Sequence, residues 1–153
     1  MTTHASTRSY SIKEAAALTG LPASTLRYYE QIGVIAPVSR GASSGHRVYD
    51  DGDLDQLMWV SCLAATGMSV SDMRHYMANN RVGAEAAADQ VRLLEEQAQR
   101  LATEAEALVL RQRYVALKVS YWQAVMAGDA ARADEISVQA RQLADELRAV
   151  THD

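Results

Sequence analysis

From Ala84 to Met126 the chain places apolar side chains in alternating steps of three and four: Ala84, Ala87, Val91, Leu94, Ala98, Leu101, Ala105, Leu108, Gln112, Val115, Val119, Trp122 and Met126. Only Gln112 in that series is polar. A seam this regular over more than four heptads predicts one long helix with the a and d positions of a coiled coil. At 1.5 Å per residue the helix would be roughly 60 Å long. A narrow apolar stripe on a charged rod cannot be covered by the rod itself, so a partner helix is required, and a homodimer is the simplest arrangement. The small Ala98 and Ala105 would let two helices approach closely. Strand direction does not follow from the seam.

Upstream, short elements alternate with glycine stops. Ser11 can cap a helix that runs to Thr19, with Glu14 at the third position after the cap and Ile12, Ala15, Ala16 and Leu18 on its apolar side. Gly20 closes it. Leu21-Pro22 opens a second helix, which runs to about Ile32 and closes at Gly33. Two helices joined by a short turn containing Gly form the helix-turn-helix pattern. Pro37, the Gly41–Gly45 tip and Arg47-Val48-Tyr49 then read as a small two-stranded wing. Asp50 or Asp51 caps a third helix, Asp53 to Thr66, with Leu54, Leu57, Met58, Val60 and Leu63 as packing residues. Ser69 caps a fourth helix, with Val70, Met73, Tyr76 and Met77 inward, and Asn79 to Gly83 reads as a break. Beyond the rod, Gly128-Asp129 starts a last helix whose stripe is Ile136, Ala140, Leu143, Leu147 and Val150.

The expected architecture is therefore mainly α. Residues 1–9 read as a disordered N-terminus and 10–82 as a winged helix-turn-helix domain. Residues 83–127 form the coiled-coil dimerisation helix, and 128–153 a C-terminal helix packing on the coil. No apolar run approaches the roughly 18 residues that a membrane span needs. The polar start lacks the apolar stretch of a secretory signal, and one cysteine makes no internal disulfide, so a cytoplasmic protein without membrane attachment is expected.

A net charge of −4 looks unfavourable for a nucleic-acid partner, but the average conceals a gradient. Residues 1–49 carry Arg8, Lys13, Arg27, Arg40 and Arg47 against Glu14 and Glu30 alone. Phosphates respond to that local excess. On the second helix, Arg27 and Tyr28 are either ordinary surface residues or DNA contacts, and the winged context favours the latter: arginine offers a fork of donors to phosphate, tyrosine a hydroxyl and a flat ring. Ser24 and Thr25, near the front of that helix, are the direct groove readers, whereas Leu26 and Tyr29 belong to the core. Arg40, His46 and Arg47 surround a Gly/Ser tip that allows close backbone approach to phosphates. Arg47 could instead pair with a carboxylate and hold the wing, and Tyr49 could cap the core or reach phosphate.

These motifs resemble one family. Tyr10-Ser11-Ile12, Glu14-Ala15-Ala16, Leu18-Thr19-Gly20, Thr25-Leu26-Arg27-Tyr28-Tyr29-Glu30, Gly33, Pro37, Ser44-Gly45-His46-Arg47-Val48-Tyr49, Asp53-Leu54 and Thr66-Gly67-Met68-Ser69 are similar to the start of MerR-type bacterial transcription regulators. The family pattern has Tyr where this chain has His46. The resemblance implies a dimer on an antiparallel coiled coil, bound to a palindromic promoter operator as double-stranded DNA. It also implies an effector-driven bend and untwist that realigns the promoter for RNA polymerase. Trp59-Val60-Ser61-Cys62-Leu63 and Ala116-Leu117-Lys118-Val119-Ser120-Tyr121-Trp122 resemble the branch that senses aldehydes, electrophiles or nitrosative stress, which implies Cys62 as the sensing residue.

Taken without that resemblance, Cys62 reads more readily as a small packing residue than as a sensor, since no Lys or Arg flanks it to favour thiolate; Arg74 or His75 on the fourth helix could approach it. A reversible small-molecule pocket lined by Tyr114, Tyr121, Trp122 and Met126 is the rival sensor, although those residues also suit dimer packing. A rival from another class is a coiled-coil adaptor whose basic head binds protein. No metal is expected, because His4, His46, His75 and His152 lack ligand spacing and no second cysteine exists. No cofactor is implied, and no Gly-rich phosphate loop or nucleophile–base pair points to an enzyme.

Overall fold

The computed structural model describes residues 8–150, so most of the stretch expected to be disordered lies outside the described residues. The elements run α1 (Ile12–Thr19), α2 (Ala23–Gln31), β1 (Ser39–Arg40), β2 (Arg47–Val48), α3 (Asp51–Ala65), α4 (Val70–Val82), a 3-10 turn (Ala84–Ala86), α5 (Ala87–Met126) and α6 (Ala130–Val150). Two compact units result, one up to Glu95 and one from Glu96, divided within α5.

In the first unit, local chemistry sets the helix ends. The Ser11 hydroxyl accepts the Glu14 N–H at 3.2 Å and caps α1. Gly20, at φ +72°, ends it by donating its N–H to Ala16. Asp50 and Asp53 form a reciprocal capping box at the start of α3. The Ser69 hydroxyl caps α4 by accepting the Asp72 N–H at 3.1 Å. The break expected over Asn79 to Gly83 is confined to its end: α4 continues to Val82 and stops at Gly83, φ +86°. Asn is only mildly unfavourable in a helix, and here its side chain is taken by partners on α5, so nothing interrupts the turn.

The core of this unit joins Ala15 of α1, Leu26 and Tyr29 of α2, Val34, Ile35 and Val38 before the wing, Tyr49, Leu57 and Val60 of α3, Met68, and Met73 and Met77 of α4. Each large apolar side chain buried this way contributes roughly 1.5–3 kcal/mol. Two expected packing residues lie outside it: Leu18 and Met58 are exposed. Thr19 occupies the buried position near the end of α1 instead, its hydroxyl donating to the Ala15 carbonyl at 2.7 Å.

In the second unit, α6 folds back on the end of α5 after the Gly128 turn. Asp129 caps α6 through the Arg132 N–H. Ala133 and Ile136 pack on Ala124, with Leu117 and Tyr121 beside them. Ala140 and Leu143 are also buried. The stripe of α5 that α6 covers is not the heptad seam. Leu101, Leu108, Val115, Val119, Trp122 and Met126 remain exposed, Val115 at 61% and Met126 at 87%. Val91 and Leu94, the seam positions in the first unit, are exposed as well.

Candidate nucleic-acid interface

The two faces of α2 follow from its spacing. Leu26 and Tyr29, three apart, enter the core, which leaves Ser24, Arg27 and Tyr28 on the outside and Thr25 half-buried. Pro22 precedes the helix, and no side chain caps the first amides of α2. Those amides and the exposed Ser24 hydroxyl are the donors that a helix N-terminus offers to phosphate.

The wing is an antiparallel hairpin in which Ser39 faces Val48 and Arg40 faces Arg47. Its tip closes through Gly41 N–H to His46 carbonyl at 2.8 Å and Gly45 N–H to Gly41 carbonyl at 2.9 Å. A Cβ on Gly41 would lie 2.7 Å from the Ser44 hydroxyl, which would have to rotate away to admit a side chain there. Arg40 is exposed and donates from one Nη to the Gly45 carbonyl at 3.2 Å, which fixes its guanidinium along the loop. His46 is exposed beside it. Tyr10 and Tyr49 exchange backbone hydrogen bonds of 2.8 and 2.9 Å, tying the base of the wing to the chain just before α1.

Two residues expected to contact DNA are engaged within the protein. Arg47 is half-buried, and its Nε donates to the Glu30 carboxylate at 2.7 Å. That bond spans 17 residues and joins the wing to the last turn of α2. Of the two roles the sequence left open, the structure shows the brace. Tyr49 is fully buried, so its reading as a phosphate contact is corrected: its ring fills the core beneath the wing. Among the described residues its hydroxyl has no hydrogen-bond partner. Burial pushes the phenol above its ordinary pKa, against the lowering influence of Arg47. Glu30 was absent from the expected site residues. Only the distance between α2 and β2 reveals it.

Cys62 is exposed on α3. His75, one of the two groups expected to approach it, is taken by Asp89 at a distance of 2.5 Å. No described helix is long and apolar enough to cross a membrane.

Residues 10–80 match the MerR HTH family regulatory protein model. The N-terminal domain is a MerR-type helix-turn-helix domain. Within it, the uncharacterized HTH-type transcriptional regulator YyaN of Bacillus subtilis is 40% identical over 68 residues, 44% of this chain and 49% of its own length. The HTH-type transcriptional regulator AdhR of the same organism is 40% identical over 65 residues, 42% of this chain and 46% of its own. The chain thus spans about half the length of the curated relatives it matches. A crystal structure of HiNmlR, a MerR family regulator lacking the sensor domain and bound to promoter DNA, superposes with a TM-score of 0.63 at 28% identity, over 78% of this chain and 94% of that one. The MerR-type domain is therefore accompanied by similarity along much of the remaining chain.

Proposed function

We propose that this protein is a sequence-specific, DNA-binding transcriptional regulator that acts as a homodimer on a palindromic promoter operator and distorts the duplex in response to an effector. The observation that carries the DNA reading is the outward face of α2, with Ser24, Arg27 and Tyr28 exposed in the same MerR-type domain as a wing bearing Arg40 and His46. That HiNmlR, a structural relative, is bound to promoter DNA supports it. In this reading Arg27 and Arg40 clamp phosphate, Ser24, Thr25 and Tyr28 read the groove, and Arg47 with Glu30 holds the wing in place.

The exposed seam of α5 supports the dimer, because a lone protomer would leave Leu101, Leu108, Val115 and Trp122 in water. A second copy of the same helix supplies the matching heptads. The effector is a reactive electrophile or aldehyde that acts at Cys62, a reading that its exposure supports. RNA polymerase is then affected indirectly, through the shape of the promoter.

The decisive experiment is duplex binding as a function of salt. Several phosphate contacts imply a loss of about 10³–10⁵ in affinity between 50 and 200 mM salt. A flat salt response would remove the DNA reading and favour a protein-binding head. Cys62→Ser is the test of the trigger: a variant that still responds in full to its inducer transfers sensing to a reversible pocket.

A further inference from the structure

We propose that the α5–α6 hairpin of the second unit binds a small zwitterion of the free α-amino acid type, in a groove whose charged end is formed by Arg113 and Glu146. The proposal goes beyond the DNA reading and does not depend on it.

The groove has a volume of about 390 Å³, within the range of roughly 300–1,000 Å³ that small-molecule sites occupy. It lies wholly between residues 113–120 of α5 and 139–146 of α6. The chain reverses at Gly128, so the two segments run antiparallel and the lining falls into three zones. Arg113 and Glu146 share one end. Ala116, Leu117 and the buried Leu143 supply the apolar middle, with the Gln142 amide beside them. Ser120 and Gln139 close the other end with neutral donors and acceptors.

The charged end selects the ligand. Elsewhere on α6 opposite charges close on each other, Arg132 on Glu135 and Arg148 on Asp145. Arg113 and Glu146 do not: among the described residues neither side chain has a hydrogen bond or an ion pair. A ligand with one charge would be drawn to one of them and repelled by the other. A carboxylate beside an ammonium suits both, because a guanidinium donates two parallel bonds to a carboxylate and the Glu146 carboxylate accepts from an ammonium. From Arg113 to Ser120 the helix rises about 10 Å. That length admits the side chain of one amino acid laid along Leu117 and Leu143. The far end of the groove carries no charge, so the fitting tip is a neutral hydrogen-bonding group such as an amide or a phenol.

The test is isothermal titration calorimetry of the full chain, without DNA, against a panel of free L-amino acids that includes L-glutamine and L-tyrosine. At least one member is expected to saturate the protein with a Kd below about 1 mM. Its decarboxylated amine and its deaminated acid (tyramine and p-hydroxyphenylpropionate for L-tyrosine) should each bind about tenfold or more weakly. Arg113→Gln should bring the amino acid and the amine within about threefold of each other, and Glu146→Gln should do the same for the amino acid and the acid. A role confined to folding would weaken all three ligands alike. Ala116→Leu fills the groove from an exposed position without touching either charge, and should abolish binding. The analogue series on wild type needs no variant, so it decides the matter should a variant fail to fold. The proposal is overturned if no member of the panel binds at up to about 2 mM. It is also overturned if the analogues match the amino acid on wild type, or if the folded variants keep the wild-type preferences. With no DNA present, none of these outcomes bears on the DNA reading.

Discussion

Replacing Arg47 by Ala breaks the ion pair with Glu30 that joins the wing to α2. The Arg47 and Glu30 side chains are 20% and 12% exposed, and their 2.7 Å contact is a charge-assisted hydrogen bond. An exposed pair would contribute about 0–1 kcal/mol. Stranding one partner of a fully buried pair costs about 3–5 kcal/mol. The observed burial lies between these limits, so Arg47→Ala should destabilise the fold by about 1.5–3 kcal/mol, the range for hydrogen bonds to charged groups. Glu30→Gln keeps an acceptor for Nε and should cost less, about 1 kcal/mol. The assay is urea denaturation of both single variants and the double, read as a cycle, with a coupling of at least about 1 kcal/mol expected. DNA binding gives a second readout. Each lost phosphate contact reduces the salt slope by about 0.9, so a variant that loses one contact in each protomer of a dimer loses about 1.8. Arg40→Ala should show that reduction, whereas Arg47→Ala should weaken binding through a displaced wing and leave the slope unaltered. Single variants within about 0.5 kcal/mol of wild type, additive in the double, would refute the brace. So would a slope reduced by Arg47→Ala as much as by Arg40→Ala.

Three further outcomes are expected. Leu108→Asp places a charge in the middle of the exposed seam, at a side chain 53% exposed in the protomer; the fold should persist while sedimentation shows monomer and operator affinity falls by about 100-fold or more, since two half-sites are no longer linked. Tyr49→Phe removes a buried hydroxyl that has no partner among the described residues, so denaturation should show a change between zero and a gain of about 1 kcal/mol; a loss above about 1 kcal/mol would reveal a hydrogen bond. For Asp89 the folded-state pKa is depressed, so its contribution is fully present above the unfolded value of about 3.9 and is lost as pH falls below that toward the folded value. Urea midpoints measured from pH 7 down to pH 2 should therefore drop more steeply below about pH 4 for wild type than for Asp89→Asn, and parallel curves would contradict the assignment.

Much of the fold is legible in short stretches because its causes are local. Ser11 and Asp50 satisfy amides three residues ahead of them, and Gly20 needs only its own freedom at positive φ. The division of α2 into an inner Leu26–Tyr29 face and an outer Arg27–Tyr28 face follows from the helix period alone. Leu18 and Met58 show where such reasoning stops. Both sit at positions that an amphipathic pattern would bury, yet among the described residues they stay exposed. Asn79 is a further instance: only mildly unfavourable in a helix, it stays within α4 with its side chain donating to a carboxylate on α5.

The heptad seam, the helix ends and the outward face of α2 were determined by residues within a few turns of one another, where periodicity and capping act. The Arg47–Glu30 ion pair, the burial of Tyr49, the contacts of Asp89 with His75 and Asn79 and the stripe of α5 that α6 covers were decided only when distant segments met. Charge pairing and burial depend on separations in space, which the order of residues along the chain does not record.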